Sequence, residues 1–149
     1  MNALELLKQD HQKVKELFER AEEAQEGKNK KEVFKQIKKE LEIHARIEEG
    51  IFYPAVEKHE QLKDMVLESY EEHKQIKTLL REIEELVSDS EKFEPKLNVL
   101  KENVDHHSEE EEEGKLFPQV RELMDEPALE ELGQELEAAK GKRSRGPMF

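Results

Sequence analysis

Histidines and glutamates recur along this chain at spacings suited to holding metal. The stretch HARIEEGIFYP, residues 44–54, carries His44-x-x-x-Glu48 and closes on Pro54. The stretch HHSEEEEEGKLFP, residues 106–118, repeats the plan: histidine, glutamates, a glycine, an apolar pair, Pro118. A histidine and a carboxylate four residues apart lie on one face of a helix. Together they offer one imidazole nitrogen and two carboxylate oxygens to a common point. That mixture of donors suits iron, and manganese or zinc less well. His11 and His73 add two further imidazoles. The chain has no cysteine, which excludes disulfides, iron–sulfur clusters, thiolate zinc sites and thiol catalysis.

Four amphipathic segments must position these groups. The first helix runs from about Asn2, a candidate N-cap, to Gln25, and Gly27-Lys28-Asn29 forms the break. The second runs from about Lys31 to His59, and Pro54 kinks or ends it. The third runs from about Leu62 to Val87, with Ser88-Asp89-Ser90 as the break. The fourth starts near Phe93 and reaches toward Met124, interrupted at Pro118. The fold expected is all-α: an up-and-down antiparallel four-helix bundle over residues 1–126. Residues 127–149 then form a short C-terminal helix through Leu129, Leu132 and Leu136 and a disordered basic tail, KGKRSRGPMF.

Each of the four segments places one histidine on its apolar seam. The series are Leu4, Leu7, His11, Val14, Phe18; then Ile37, Leu41, His44, Glu48, Ile51; then Val66, Ser69, His73, Ile76, Leu80; then Leu97, Leu100, Val104, His107, Glu111. Every step is three or four residues, so each polar group points into the core. Burying an unpaired imidazole costs a few kcal/mol, and a lone carboxylate costs more. At about 1.5 Å per residue, the four histidines lie about 13–17 Å from one end of the bundle, and the two glutamates about one turn lower. The expected metal ligands are therefore His11, His44, Glu48, His73, His107 and Glu111. Their count favours two ions, each with two imidazoles, bridged by both carboxylates and by a solvent-derived oxygen, with an open position.

Three registers fit the fourth helix. His107/Glu111 continues the Leu97, Leu100, Val104 seam. Glu48 precedes Pro54 by six residues, whereas Glu111 precedes Pro118 by seven. Either a π-bulge absorbs the extra residue, or the bridging carboxylate is Glu112. His106 with Glu110 is the third register. Glu109, Glu110 and Glu113 are expected to form a solvated face. Glu49 either joins that face or supports a ligand histidine. Tyr70 either packs in the core or faces the metal pocket; Phe18, Phe52 and Phe117 are core positions, and His59 a surface one.

A net charge of −13 repels nucleic acid. No apolar run approaches the ~20 residues that span a bilayer, and the N-terminus, MNALELLKQDHQK, carries charge too early for a signal peptide. A cytoplasmic protein with neither membrane nor nucleic-acid partners is expected. No dinucleotide-binding glycine pattern, P-loop or nucleophile elbow is present.

The ordered set of His11 after Asp10, His44-x-x-x-Glu48 leading to Gly-Ile-Phe-Tyr-Pro, His73 after Glu72, and His107-x-x-x-Glu111 leading to Leu-Phe-Pro resembles the hemerythrin-like (HHE cation-binding) domains. The resemblance covers roughly residues 1–125. It implies a non-haem di-iron centre, oxo- or hydroxo-bridged, that binds or senses dioxygen or reacts with peroxide or nitric oxide. Alternatives within it are a di-iron enzyme with catalase- or oxidase-like activity and an iron-buffering protein. Ferritin-like bundles use Glu-x-x-His instead. Oxygen-carrying hemerythrins have a second histidine one turn after the third-helix ligand, where this chain has Lys77. The resemblance thus favours redox chemistry or sensing over reversible oxygen carriage.

Overall fold

A computed structural model describes residues 1–24, 27–87 and 89–141. Among them there is helix and no strand. Helix α1 spans Ala3–Glu23, α2 Gly27–Ile47, α3 Tyr53–Val56, α4 Lys63–Glu84, α5 Phe93–Asp105, α6 Phe117–Leu123 and α7 Glu126–Gly141. Two π-helical stretches join these pieces: π1, Glu48–Phe52, links α2 to α3, and π2, His106–Leu116, links α5 to α6. A 3-10 turn, Glu60–Leu62, leads into α4.

Local chemistry explains the boundaries. Asn2 caps α1 reciprocally: its side chain accepts from the Glu5 N–H (2.9 Å), and the Glu5 carboxylate accepts from the Asn2 N–H (3.3 Å). The Gly27-Lys28-Asn29 break does not occur; these residues open α2. Chain direction changes earlier, where Ala24 is extended. Buried Val33, Phe34 and Ile37 anchor α2 against the core, and that packing outweighs the weak helix preference of Gly and Asn. Helix α4 ends at Glu84, short of the expected Val87. There Lys31 donates to the carbonyls of Ile83, Glu84 and Leu86, the carbonyls a helix end leaves without partners. The expected disordered tail lies, from residue 142 on, outside the described residues, whereas Lys140 and Gly141 are still in α7.

Neither Pro54 nor Pro118 ends its helix. Proline lacks an N–H and its ring clashes with the carbonyl four residues back. Each proline follows a π stretch, whose wider turn makes room for the ring. The bonds that mark these turns run from the Tyr53 N–H to the Glu48 carbonyl and from the Phe117 N–H to the Glu112 carbonyl.

Two apolar clusters divide the interior. One gathers Leu4, Leu7, Phe52, Tyr53, Val66, Phe117 and Leu136, among others. The second gathers Val14, Phe18, Phe34, Ile37, Leu80 and Leu100. Helix α1 passes from the first to the second, α2 from the second to the first and α4 like α1, while α5 lies in the second and continues through π2 to α6 in the first. His11, His44 and His73 fall where their helices cross from one cluster to the other, and His107 where π2 leads from α5 toward α6. Fully burying a Leu or Phe contributes about 1.5–3 kcal/mol, so two such clusters can hold a costly polar layer between them. Helix α7 joins the first cluster through Leu129, Leu132 and Leu136 and packs on α1.

Candidate metal centre

The four histidines meet in the polar layer. The Nε2 atoms of His11 and His44 lie 3.2 Å apart, and those of His73 and His107 lie 3.0 Å apart. Two buried carboxylates stand between the pairs. Glu48 brings Oε2 within 3.3 Å of His44 and Oε1 within 3.1 Å of His73. Glu112 brings Oε1 within 3.0 Å of His11 and Oε2 within 3.5 Å of His107. His11, His44, Glu48 and Glu112 thus form one group able to surround a cation, and Glu48, His73 and His107 a second.

Glu111 is not in this layer. Its side chain keeps 15% exposure and pairs with Lys115, while Glu112 is fully buried. Glu111 instead approaches His106 (3.5 Å), which lies half exposed and is held by Glu110 (2.5 Å). Both alternatives open at the fourth helix therefore operate together: a π-helical stretch is present, and the carboxylate five residues after His107 faces inward. Five residues separate His107 from Glu112 and four separate His44 from Glu48; the longer π2 takes up the difference. Counted from the proline, the copies agree: Glu48 lies six residues before Pro54 and Glu112 six before Pro118.

Each histidine is held from behind by a carboxylate of another helix. Asp10 Oδ2 accepts from His44 Nδ1 (3.0 Å), and Glu49 Oε2 from His73 Nδ1 (2.7 Å). Glu72 Oε1 accepts from His107 Nδ1 (2.6 Å), and Glu113 Oε2 from His11 Nδ1 (2.6 Å). The ring closes around the molecule: α1 supports the histidine of α2, π1 that of α4, α4 that of π2, and π2 that of α1. Nδ1 holds its proton against a carboxylate, which leaves the Nε2 lone pair directed inward. Glu113, expected on a solvated face, is instead partly buried and belongs to this ring. Of the five-glutamate run only Glu109 and Glu110 are exposed, against Lys15 and His106 respectively. Glu49 takes the supporting role.

Tyr53 belongs to the same layer, and the sequence reading does not single it out. It is fully buried, and its hydroxyl donates to Glu112 Oε2 (2.5 Å). The same oxygen lies 3.2 Å from Glu48 Oε1 and 3.3 and 3.2 Å from the Nε2 atoms of His73 and His107. The signal was present: Tyr53 precedes Pro54 where Phe117 precedes Pro118, so one copy carries a hydroxyl and the other does not. Phe117 stacks on His11, and Tyr70 packs edge-on against Tyr53 beside the pocket.

The donor set asks for positive charge. Glu48 Oε2 and Glu112 Oε1 are buried and have no hydrogen-bond partner among the described residues. They lie near imidazole nitrogens, but no N–H is aimed at them. Lone pairs facing lone pairs in a dry interior require a cation or protons. Without metal, protons supply the charge. Burial opposes ionisation of His44, yet Glu48 and Asp10 push its pKa up to about 10. His11, His73 and His107 rise for the same reason, against burial and through their carboxylates. Burial also opposes ionisation of Glu48, but His44 and the neighbouring imidazoles hold it well below the usual carboxylate range. The Tyr53 hydroxyl is pushed far up, by burial and by Glu112 and Glu48.

A match to the model of the hemerythrin HHE cation binding domain extends over residues 2–120. The chain belongs to this family. A protein of Nostoc sp. (strain PCC 7120 / SAG 25.82 / UTEX 2576) described as a DNA nickase is 31% identical over 142 residues, which cover 95% of this chain and 40% of that protein. The present chain thus spans well under half the length of that relative. An uncharacterized protein of Mycobacterium tuberculosis (strain ATCC 25618 / H37Rv) is 28% identical over 151 residues, covering 100% of this chain and 91% of the relative. The crystal structure of a hemerythrin HHE cation binding domain-containing protein from Mycobacterium kansasii superposes with a TM-score of 0.83 at 28% identity, over 94% of this chain and 85% of that one. Family membership and the buried His/Glu groups together mark a metal-binding protein. No helix among the described residues is long and apolar enough to cross a membrane.

Proposed function

We propose that this HHE domain holds two iron ions in an up-and-down antiparallel bundle and binds or senses dioxygen, or reacts with peroxide or nitric oxide. The observation that carries this reading is the pair of orphaned oxygens, Glu48 Oε2 and Glu112 Oε1, each buried among imidazole nitrogens. Charge balance supports the number two. Glu48, Glu112 and the four supporting carboxylates bring six negative charges, and Lys77 and Lys140, which contact two of those supports, bring two positive ones. The remainder matches two divalent cations. The alternation of the helices between the two apolar clusters supports the bundle topology.

His11 and His44 would hold one ion and His73 and His107 the other, with Glu48 and Glu112 spanning both. Iron so held would supply electrons to a small oxidant. The chain contributes the rest. The carboxylate ring fixes the imidazoles, and Phe52 and Phe117 close the layer against water. The Tyr53 hydroxyl keeps a proton beside the two glutamates. Lys77 contacts Glu49 at the chain position that is a further histidine in oxygen carriers. That leaves the second group one nitrogen poorer and favours reaction or sensing over carriage. Nicking belongs to a much longer relative, and the net charge of −13 opposes binding to a phosphate backbone; we propose no nucleic-acid partner.

Iron reconstitution under anaerobic conditions, followed by metal analysis and absorption spectra before and after oxygen, tests the reading. About two irons per chain and a new near-ultraviolet band on oxidation are expected. Retention of no iron, or of one, would refute it. Steady-state peroxide turnover then separates an enzyme from a binder.

A further inference from the structure

Two of the four supporting carboxylates are themselves gripped by lysine. Asp10 receives His44 on Oδ2 and pairs with Lys140 Nζ through Oδ1. Glu49 receives His73 on Oε2 and Lys77 Nζ on Oε1 (3.3 Å). The two grips fall on different halves of the cluster, since His44 groups with His11, and His73 with His107. They also come from unlike parts of the chain. Lys77 lies on α4, one turn after His73. Lys140 lies in the last turn of α7, beyond residues 2–120 that match the family model. Arg46 ties the same end of α7 to α2 by donating to the Ala139 carbonyl (3.0 Å).

A carboxylate held at one oxygen can swing about its side-chain torsions. One held at both oxygens cannot, and it then fixes the plane of the imidazole it supports. We propose that Lys140 and Lys77 are positioning residues for the two cation sites, one each, and that through Lys140 helix α7 clamps the His11/His44 half on its own. This inference rests on the reading of the cluster as a two-ion site.

The test uses the full chain, stripped with chelator and titrated with Zn(II) against a chromophoric chelator, alongside thermal denaturation of the metal-free protein. The variants are Lys140→Met, Lys140→Gln, Lys140→Arg, Lys77→Met and the double Lys140→Met/Lys77→Met. For Lys140→Met and Lys140→Gln, one of two binding steps should weaken by about three- to tenfold, less than the 10–100-fold typical of losing the supporting carboxylate itself. The other step should stay put, and Lys140→Arg should restore the first. Lys77→Met should weaken the other step, and the double variant both. Unchanged or tighter binding in Lys140→Met, or equal weakening of both steps without rescue by arginine, overturns the proposal. Wild-type protein that fails to take up two Zn(II) refutes the two-ion reading itself, so the two failures are distinct.

Discussion

Glu111 and Glu112 are adjacent glutamates with opposite surroundings. Glu111 faces Lys115 and His106 near the surface; Glu112 touches His11, His107 and Tyr53 in the dry layer. An exposed ion pair is worth at most about 1 kcal/mol, whereas Glu112 is fully buried between two imidazoles and the Tyr53 hydroxyl. Glu112→Gln should therefore lose at least one of the bound metal ions, and Glu111→Gln should keep both and unfold within about 1 kcal/mol of wild type. Metal-to-protein ratio after desalting, with urea unfolding of the metal-free forms, checks both outcomes; equal loss in the two variants would contradict the assignment. Much of this layer was legible in the chain. Seam spacing alone picks out His11, His44, Glu48, His73 and His107, because a polar residue on an apolar stripe has nowhere to go but inward. Glu112 was harder to read: a regular helix brings Glu111 to that face, and only a π turn brings its neighbour. The proline count carried that information, and the seam argument overrode it. Asp10, Glu72 and Glu113 were illegible as supports, since each bonds to a histidine on another helix and no local pattern encodes that pairing.

Helix α7 is held at both ends by contacts that helix propensity does not encode. Its Asp125–Ala128 start is capped locally, and Glu126 accepts from the Asn2 side chain (3.1 Å). Midway, Gly133 lies so close to the start of α1 that an added Cβ would sit 2.4 Å from the Met1 carbonyl oxygen. No real Cβ approaches that near, and the obstacle is backbone. Gly133→Ala raises helix propensity by about 1 kcal/mol, yet it must push α7 off α1. Overpacking of that kind costs about 1–3 kcal/mol, so the net effect should be destabilising, read as a lower urea midpoint with an unchanged slope. A stabilised variant would show that α7 gives way easily. Sequence periodicity finds α7 through Leu129, Leu132 and Leu136, but nothing in it says that the helix folds back onto residue 1. Of the π stretches only π2 was legible, as a mismatch in spacing to the proline; π1 left no such sign. The false break at Gly27 came from judging Gly and Asn by propensity where buried Phe34 and Ile37 decide.

Charge sets the behaviour of the whole molecule with pH, and metal should reverse its direction. In metal-free protein the four buried histidines have raised pKa values, with His44 up to about 10 against 6.5 for a free side chain. The folded state therefore holds protons that the unfolded chain releases near 6.5. The stability these protons contribute is complete below pH 6.5 and drains away as pH climbs through each raised value, which for His44 is about 10. Glu48, Glu112 and Asp10 work oppositely: their values are lowered, so their contribution is present above the ordinary carboxylate range and fades as acid protonates them. Metal-free protein should be most stable between about pH 4.5 and 6.5 and lose stability above that window, by up to about 1.4 kcal/mol per pH unit through His44. On the proposed reading, metal at Nε2 would take the place of those protons, so loading would release them and be favoured by rising pH. The loaded protein should hold its stability to higher pH, and the gap between loaded and metal-free unfolding free energies should widen from pH 6 to pH 9. Urea unfolding at several pH values, with and without chelator, measures that gap. A gap that stays constant would mean that protons and metal do not share the four nitrogens, and the centre would then lie elsewhere.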